Sequence, residues 1–276
     1  VYLTPGSRSL AKSTSYMRSN FSVIGIEGIP MIEEGDDLAS IILDASRECG
    51  LELLEGDILC IAQKIVSKSE GMLRDLASIT PSSEATELAE STKKDPRMVQ
   101  MILDESSEIL RSKENVIIAR HKLGIVGAHA GIDQSNIDHV DGEKALLLPK
   151  DPDLSAKTIR AKLQRKSGVT DIGVVVTDSH NRPWRMGTIG VAIGSSGVKV
   201  LDDRVGGTDI FDRKLNATLI NNADAVANAA TLVMGETIEQ IPVAIVRGLN
   251  PEKMLTNDPE ENGTLINRPL DQDMFR

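Results

Sequence analysis

Two short, almost wholly apolar runs, Ile58 to Ala62 and Ile172 to Thr177, constrain the fold of this chain more than any other feature. Each falls far short of the roughly 20 residues that a membrane span needs, and each follows a turn signal, Gly56-Asp57 or Gly168. They are predicted to be buried strands. The first ends at Lys64 and the Ser67-Lys68 pair, the second on Asp178.

Helical spacing supplies the rest of the framework. Asp36 and Asp37 precede Leu38, Ile41, Ile42, Ala45 and Cys49, which fall on one helix face, and Gly50 is a natural stop. A polar helix from Ser83 comes before a second that opens on Asp95-Pro96 and carries Val99, Ile102, Leu103, Ser106 and Leu110. Asp151-Pro152-Asp153 introduces a basic-faced helix to about Lys166, closed by Gly168, and the last long helix places Leu215, Leu219, Ala223, Val226, Ala230 and Val233 on one stripe before Gly235. Further strands are expected at Ser22 to Ile26, Val116 to Ala119, Gly124 to Ala128, Met186 to Ile193 and Ile241 to Val246, with Ser179 to Arg185 as the polar tip of a hairpin or arch.

The formal net charge of −10, with no block of basic residues, disfavours a nucleic-acid partner, and the absence of a long apolar run disfavours a membrane one. Cys49 and Cys60 have no metal-ligand spacing and read as reduced, packed thiols of a cytoplasmic protein. His121, His129, His139 and His180 lack zinc-hydrolase spacing. Gly187, Gly190, Gly194 and Gly197 do not form a dinucleotide fingerprint, and no phosphate-loop motif is present. The expected organisation is a loosely ordered extension over residues 1–20, a main unit over 21–250 with a sub-boundary near 150 at the Pro149 to Pro152 break, and a tail over 251–276.

Three polar clusters fall where predicted elements run out: Asp133 with Asn136, Asp178 with Ser179, and Gly235 with Glu236. Carboxylates joined by a hydroxyl are a hard-oxygen set suited to Mg²⁺ or Mn²⁺ on phosphate, whereas any one acid alone is equally a turn residue or helix cap. Arg182, Arg185, Arg204 and Arg213 could fork onto phosphate or carboxylate, or lie solvated on the surface. Trp184, the sole tryptophan, either covers the hairpin or stacks on a ligand. Lys68 is either a phosphate contact or an ordinary exposed lysine. Residue chemistry alone ends at a metal and phosphate site.

In order along the chain, Ile24-Gly25-Ile26-Glu27-Gly28-Ile29-Pro30-Met31-Ile32, Ile65 to Gly71, Ala130-Gly131-Ile132-Asp133-Gln134-Ser135-Asn136, Val176-Thr177-Asp178-Ser179, Gly190 to Gly194, Leu232 to Glu236 and Val246 to Asn250 resemble the coenzyme F420-0:L-glutamate ligase family. The resemblance implies an α+β fold forming an intertwined homodimer. It implies a GTP-dependent ligase that activates the carboxylate of coenzyme F420-0 as an acyl phosphate for attack by L-glutamate, with further γ-linked additions. By position, Ile29, Pro30, Met31, Ile32, Lys68, Asn136 and Gly235 resemble nucleotide-binding residues. Asp133, Asp178, Ser179 and Glu236 resemble ligands of two divalent ions, Mg²⁺ or Mn²⁺, with K⁺ as an additional ion, and Asp133 and Asp178 are the catalytic pair. Arg182, Trp184 and Arg185 are the candidates to hold the anionic substrate. His129 and the Gln63-Lys64 pair depart from the usual family pattern. The same chemistry on another carboxylate-bearing cofactor, or a nucleotide-binding regulator without turnover, are the alternatives.

Overall fold

A computed structural model describes residues 20–181 and 184–273. Nearly all of the expected N-terminal extension, and Arg182, lie outside the described residues. From the N-terminus, β1 (Ser22–Gly25) leads to α1 (Leu38–Glu48), β2 (Ile58–Ala62) and α2 (Gln63–Ser69). β3 (Leu73–Asp75), α3 (Ser83–Thr92), α4 (Pro96–Glu105), β4 (Ser106–Lys113), β5 (Val116–His121), β6 (Val126–Ala128) and β7 (Lys144–Leu146) follow. The chain continues through α5 (Pro152–Ser167), β8 (Gly173–Asn181), β9 (Thr188–Ser196), β10 (Leu201–Asp203) and β11 (Leu219–Asn221) to α6 (Asn222–Met234), β12 (Val243–Arg247) and α7 (Pro251–Met254). Helices and sheets are mixed, as the α+β reading requires.

The two apolar runs are neighbours at the centre of a five-stranded sheet of order β1-β12-β2-β8-β9. β2 and β8 pair in parallel, from Ile58 beside Gly173 to Ala62 beside Thr177, and the other neighbours are antiparallel. Helices cover both faces of this sheet, which is why the central strands read as continuous apolar runs. Leu59, Ile61, Val174 and Val176 face Ile42 of α1 and Ala156 and Leu163 of α5, while Cys60, Val175 and Ala244 face Ala223, Ala227 and Ala230 of α6. Each such large aliphatic side chain contributes roughly 1.5–3 kcal/mol by leaving water. A third cluster joins α3 and α4 to β5 and to the 130–147 segment through Ala85, Val99, Ile102, Ile117, Ala130 and Leu147. Leu148 already belongs to the first core. Among the described residues no helix is long and apolar enough to cross a membrane.

Several expected boundaries shift for local reasons. The chain after β2 is not a strand end: Gln63–Ser69 is a helix, so Lys64 and Lys68 stand one turn apart on one face. The helix expected to run from Asp95-Pro96 through Leu110 stops at Glu105, where Ser106 closes its hydroxyl on the Ile102 carbonyl at 2.5 Å and the chain enters β4. Leu215 and Leu219 are not on the last long helix; Leu219 pairs with Asp203, and Asn221 caps α6 by accepting from the Asp224 N–H. β8 runs past Asp178 to Asn181, so the expected turn at Ser179 begins later. Cys49 is exposed rather than packed, whereas Cys60 is buried and its thiol is pushed up to about 12 by desolvation.

Candidate functional site

The site is built at the C-terminal ends of the one parallel strand pair among the described residues, where open sheets leave a crevice for ligands. Ala62 and Thr177 lie side by side, and the next residues begin α2 and carry Asp178. Asp178 remains within β8, opposite Val191 of β9, and its Oδ2 lies 3.0 Å from His180 Nε2. The His180 ring rests on β6: a Cβ added to Gly127 would stand 3.3 Å from His180 Cε1. Ser179, opposite Gly190, turns its hydroxyl to Glu236 and donates to Oε2 at 2.6 Å. Glu236 reaches that position because Gly235 ends α6 at φ 72, a conformation in which a side chain would also collide with Glu239.

The segment from His129 to Asn136 forms the opposite wall, and its backbone is unusual. His129, Ala130 and Gly131 are successively left-handed, at φ 55, 52 and 71, and Asn136 is left-handed at φ 56. Left-handed backbone costs roughly 1–2 kcal/mol at a non-glycine residue, so tertiary contacts must hold it. Those contacts are present. Ala130 and Ile132 are buried in the third core, and Asp133 bridges to Leu146 through two backbone hydrogen bonds of 3.1 and 2.8 Å.

Cross-links from this loop close the site into a ring. Lys68 Nζ donates to the Asn136 carbonyl at 3.0 Å, and Asn136 Nδ2 donates to the Thr237 carbonyl at 3.2 Å. Thr237 adjoins Glu236, which returns the ring to Ser179. Lys64 Nζ sits 2.6 Å from Asp133 Oδ2, and Ser135 donates to the same carboxylate through its N–H at 2.8 Å and its hydroxyl at 2.9 Å. Burial alone would raise the Asp133 carboxyl, but Lys64 and Ser135 outweigh it and hold the group below its usual value. Burial, and then the Lys64 charge, push the Lys68 ammonium down. An anion placed against both lysines would relieve that repulsion.

The structure thus brings Asp133, Asn136, Lys68, Ser179, Gly235 and Glu236 onto one ring of segments, with Asp178 beside Ser179. Gly35 donates its N–H to the Ser69 carbonyl at 2.9 Å, which ties the stretch just after the Ile29 to Ile32 loop to the end of α2. Within that loop Pro30 and Met31 are exposed, Ile29 packs against the first core, and Ile32 is buried in it. Trp184 and Arg185 stand exposed at the hairpin tip, with Trp184 at φ 56, outside the ring. Arg204 and Arg213 lie on the exposed 201–221 arm.

The donor chemistry of this ring, three carboxylates and a hydroxyl, is that of hard oxygen ligands suited to divalent ions, and the Lys64 ammonium neutralises Asp133. The carboxylates are nevertheless held apart, since among the described residues no three His, Cys, Asp or Glu side chains form a metal-holding group. Sequence reasoning missed Lys64, Ser135, Thr237 and His180 as parts of the site. Only Lys64 left a usable signal, the four-residue spacing to Lys68 that a helical reading of 63–69 would have placed on one face.

Comparison with known proteins bears on this geometry. The family described as F420-0:gamma-glutamyl ligase matches residues 26–248, a span that contains every segment of the ring. A relative from Methanothermobacter thermautotrophicus named coenzyme F420:L-glutamate ligase is 45% identical over 255 residues, covering 92% of this chain and 98% of its own. Relatives of the same name from Methanopyrus kandleri and Methanocaldococcus jannaschii are 44% and 43% identical, with 91% and 92% of this chain covered and 97% and 96% of their own.

Proposed function

Because the chain belongs to the F420-0:gamma-glutamyl ligase family, we propose that it is a GTP-dependent ligase joining L-glutamate to the terminal carboxylate of coenzyme F420-0, and then adding γ-linked glutamate. The closed ring from Lys68 through Asn136 and Thr237 to Glu236 and Ser179 is the observation that carries the reading, because it gathers a phosphate-type cation and hard oxygen donors at one sheet end.

In this reading a carboxylate oxygen of the acceptor attacks the γ-phosphorus of GTP and GDP leaves. The amine of glutamate then attacks the acyl carbon, the C–O bond to phosphate breaks, an amide forms, and phosphate and a proton are released. Such chemistry requires positioning and charge neutralisation more than a protein nucleophile. Lys68 would hold the nucleotide phosphates, with Asn136, Gly235 and the Ile29 to Ile32 loop forming the wall of the nucleotide pocket. Asp133, Asp178, Ser179 and Glu236 would hold two Mg²⁺ or Mn²⁺ ions, with K⁺ as a further activator. Those ions, when bound, neutralise charge on the phosphoryl group in transfer. Trp184 and Arg185, and by sequence Arg182, would meet the anionic acceptor.

A second copy of the chain would cover the exposed Val205, Ile210, Phe211 and Leu219 of the 201–221 arm, which supports the homodimer as the working form; a cytoplasmic location is part of the same reading. The deciding experiment incubates the purified protein with F420-0, glutamate, Mn²⁺ and either GTP or ATP, and follows the product by mass spectrometry. Glutamate-sized mass increments with GTP in preference to ATP are expected; no increment with either nucleotide would sink the proposal.

A further inference from the structure

The Lys64–Asp133 contact is a built arrangement with a direct bearing on metal loading. Three acceptors surround the Lys64 ammonium: Asp133 Oδ2 at 2.6 Å, Ser135 Oγ at 2.6 Å and the Ser135 carbonyl at 3.4 Å. Ser135 in turn donates twice to the Asp133 carboxylate. The ammonium therefore closes the Asp133-Gln134-Ser135 turn on itself and neutralises its carboxylate. This turn follows directly on the left-handed His129 to Gly131 backbone, so Lys64 also braces the strained wall of the site from α2.

A divalent ion that takes Asp133 Oδ2 displaces Lys64, and one on Oδ1, which accepts the Ser135 N–H, still shares the carboxylate with the ammonium. A doubly charged ion and an ammonium sharing one carboxylate at contact distance repel strongly in a partly desolvated site. We propose that Lys64 is a resident cation of Asp133 that exchanges with the incoming divalent ion, so that it sets the affinity of that position and keeps its loop formed before the ion arrives. The proposal rests on Asp133 being a metal ligand. Displacement is sterically open, because the Lys64 side chain retains 27% of its exposure and a flexible four-carbon stem. The displaced ammonium remains on the α2 face that also bears Lys68, one turn away, where nucleotide phosphates would receive it. Lys64 is in this sense a positioning residue, exchanging partners between the empty and the loaded site.

The test reads metal binding directly, without turnover. Mn²⁺ is titrated into nucleotide-free protein and the free ion is counted by electron paramagnetic resonance, for the unaltered chain and for Lys64→Gln, Lys64→Arg and Asp133→Asn. Lys64→Gln retains a donor for Ser135 but removes the charge, and is expected to bind Mn²⁺ several-fold to about tenfold more tightly, the scale of a partly exposed ion pair lost as competitor. Lys64→Arg keeps the charge and should stay within about twofold of the unaltered chain. Unchanged or weaker Mn²⁺ binding in Lys64→Gln, or equal tightening in Lys64→Arg, overturns the exchange while leaving the metal assignment standing, provided Asp133→Asn loses a site. If Asp133→Asn binds as the unaltered chain does, Asp133 is no ligand and both readings fail together. Thermal melts of all four proteins, matched to within a few degrees, confirm that folded protein is being compared.

Discussion

Asp133 and Asp178 are the two carboxylates assigned the same task, yet the molecule holds them by different means. Asp178 lies inside a strand whose backbone is fixed on one side by β9 and whose preceding residues are fixed on the other by β2. Its side chain needs only His180 as a partner. Asp133 sits on a loop with left-handed residues, tied to β7 by a two-bond bridge, and its carboxylate is gripped by Lys64 and Ser135. A strand presents its acid whatever occupies the site. A loop that depends on an ion pair presents its acid conditionally, and so is the side on which binding can be adjusted.

The largest expected effect is therefore on the strand side. Asp178→Asn preserves shape and an acceptor for His180 while removing one negative charge, and kcat should fall about 10²- to 10³-fold, the scale of losing one electrostatic stabiliser. The metal-free melting temperature should hold, because the backbone pairing of β8 with β2 and β9, not the Asp178 charge, keeps this strand in place. A near-normal kcat across a Mn²⁺ titration would remove Asp178 from the chemistry and leave the comparison without its rigid member.

Stability sharpens the contrast next. Gly190 pairs with Ser179, and a Cβ there would overlap Thr231 Oγ1 and stand 2.6 Å from the Ala227 carbonyl oxygen of α6. Helix backbone cannot yield as a side chain can, so Gly190→Ala should cost about 3 kcal/mol or more. At Gly131 the φ of 71 is unfavourable for alanine, and the obstacle is the Leu148 side chain, with its Cδ1 and Cγ at 2.8 Å, rather than backbone. A smaller cost of about 1–3 kcal/mol is expected for Gly131→Ala. Urea midpoints for the two variants compare them directly, and equal losses would show that the loop wall is as unyielding as the sheet.

The same division decides what was legible from sequence. The runs around Cys60 and Val175 announced the central strands because burial on both faces leaves no polar positions, and Asp95-Pro96 and Asp151-Pro152 announced their helices because the capping oxygens and prolines act locally. Asp178 followed from the strand that carries it. The start of α6 was misplaced because Leu215 and Leu219 keep helical spacing by coincidence while pairing with β10 consumes Leu219. The ring from Lys68 to Ser179 could not be read locally at all: its bonds join residues 68, 101 and 57 positions apart. Nor does any single-residue preference announce Ala130 as left-handed; the third core imposes that conformation on it.

The smallest effect concerns the grip on Asp133 in metal-free protein. Its carboxyl is held below the usual value in the folded state, burial acting upward and the Lys64 and Ser135 contacts prevailing downward. In the unfolded chain it titrates near about 3.9. As pH falls, the unfolded state therefore takes up the proton first. The stability contributed by this group is complete above about pH 4 and is lost as pH falls through the lower folded value. Because the Asp133 side chain is 36% exposed, solvent screening limits the contribution to a few tenths to about 1 kcal/mol. Asp133→Asn should thus be slightly less stable than the unaltered chain at neutral pH, with the gap closing as pH drops toward 3. Melting curves of the two metal-free proteins in steps from pH 6 to pH 3 measure the gap, and a difference that stays constant over that range would mean that the ion pair does not hold the loop.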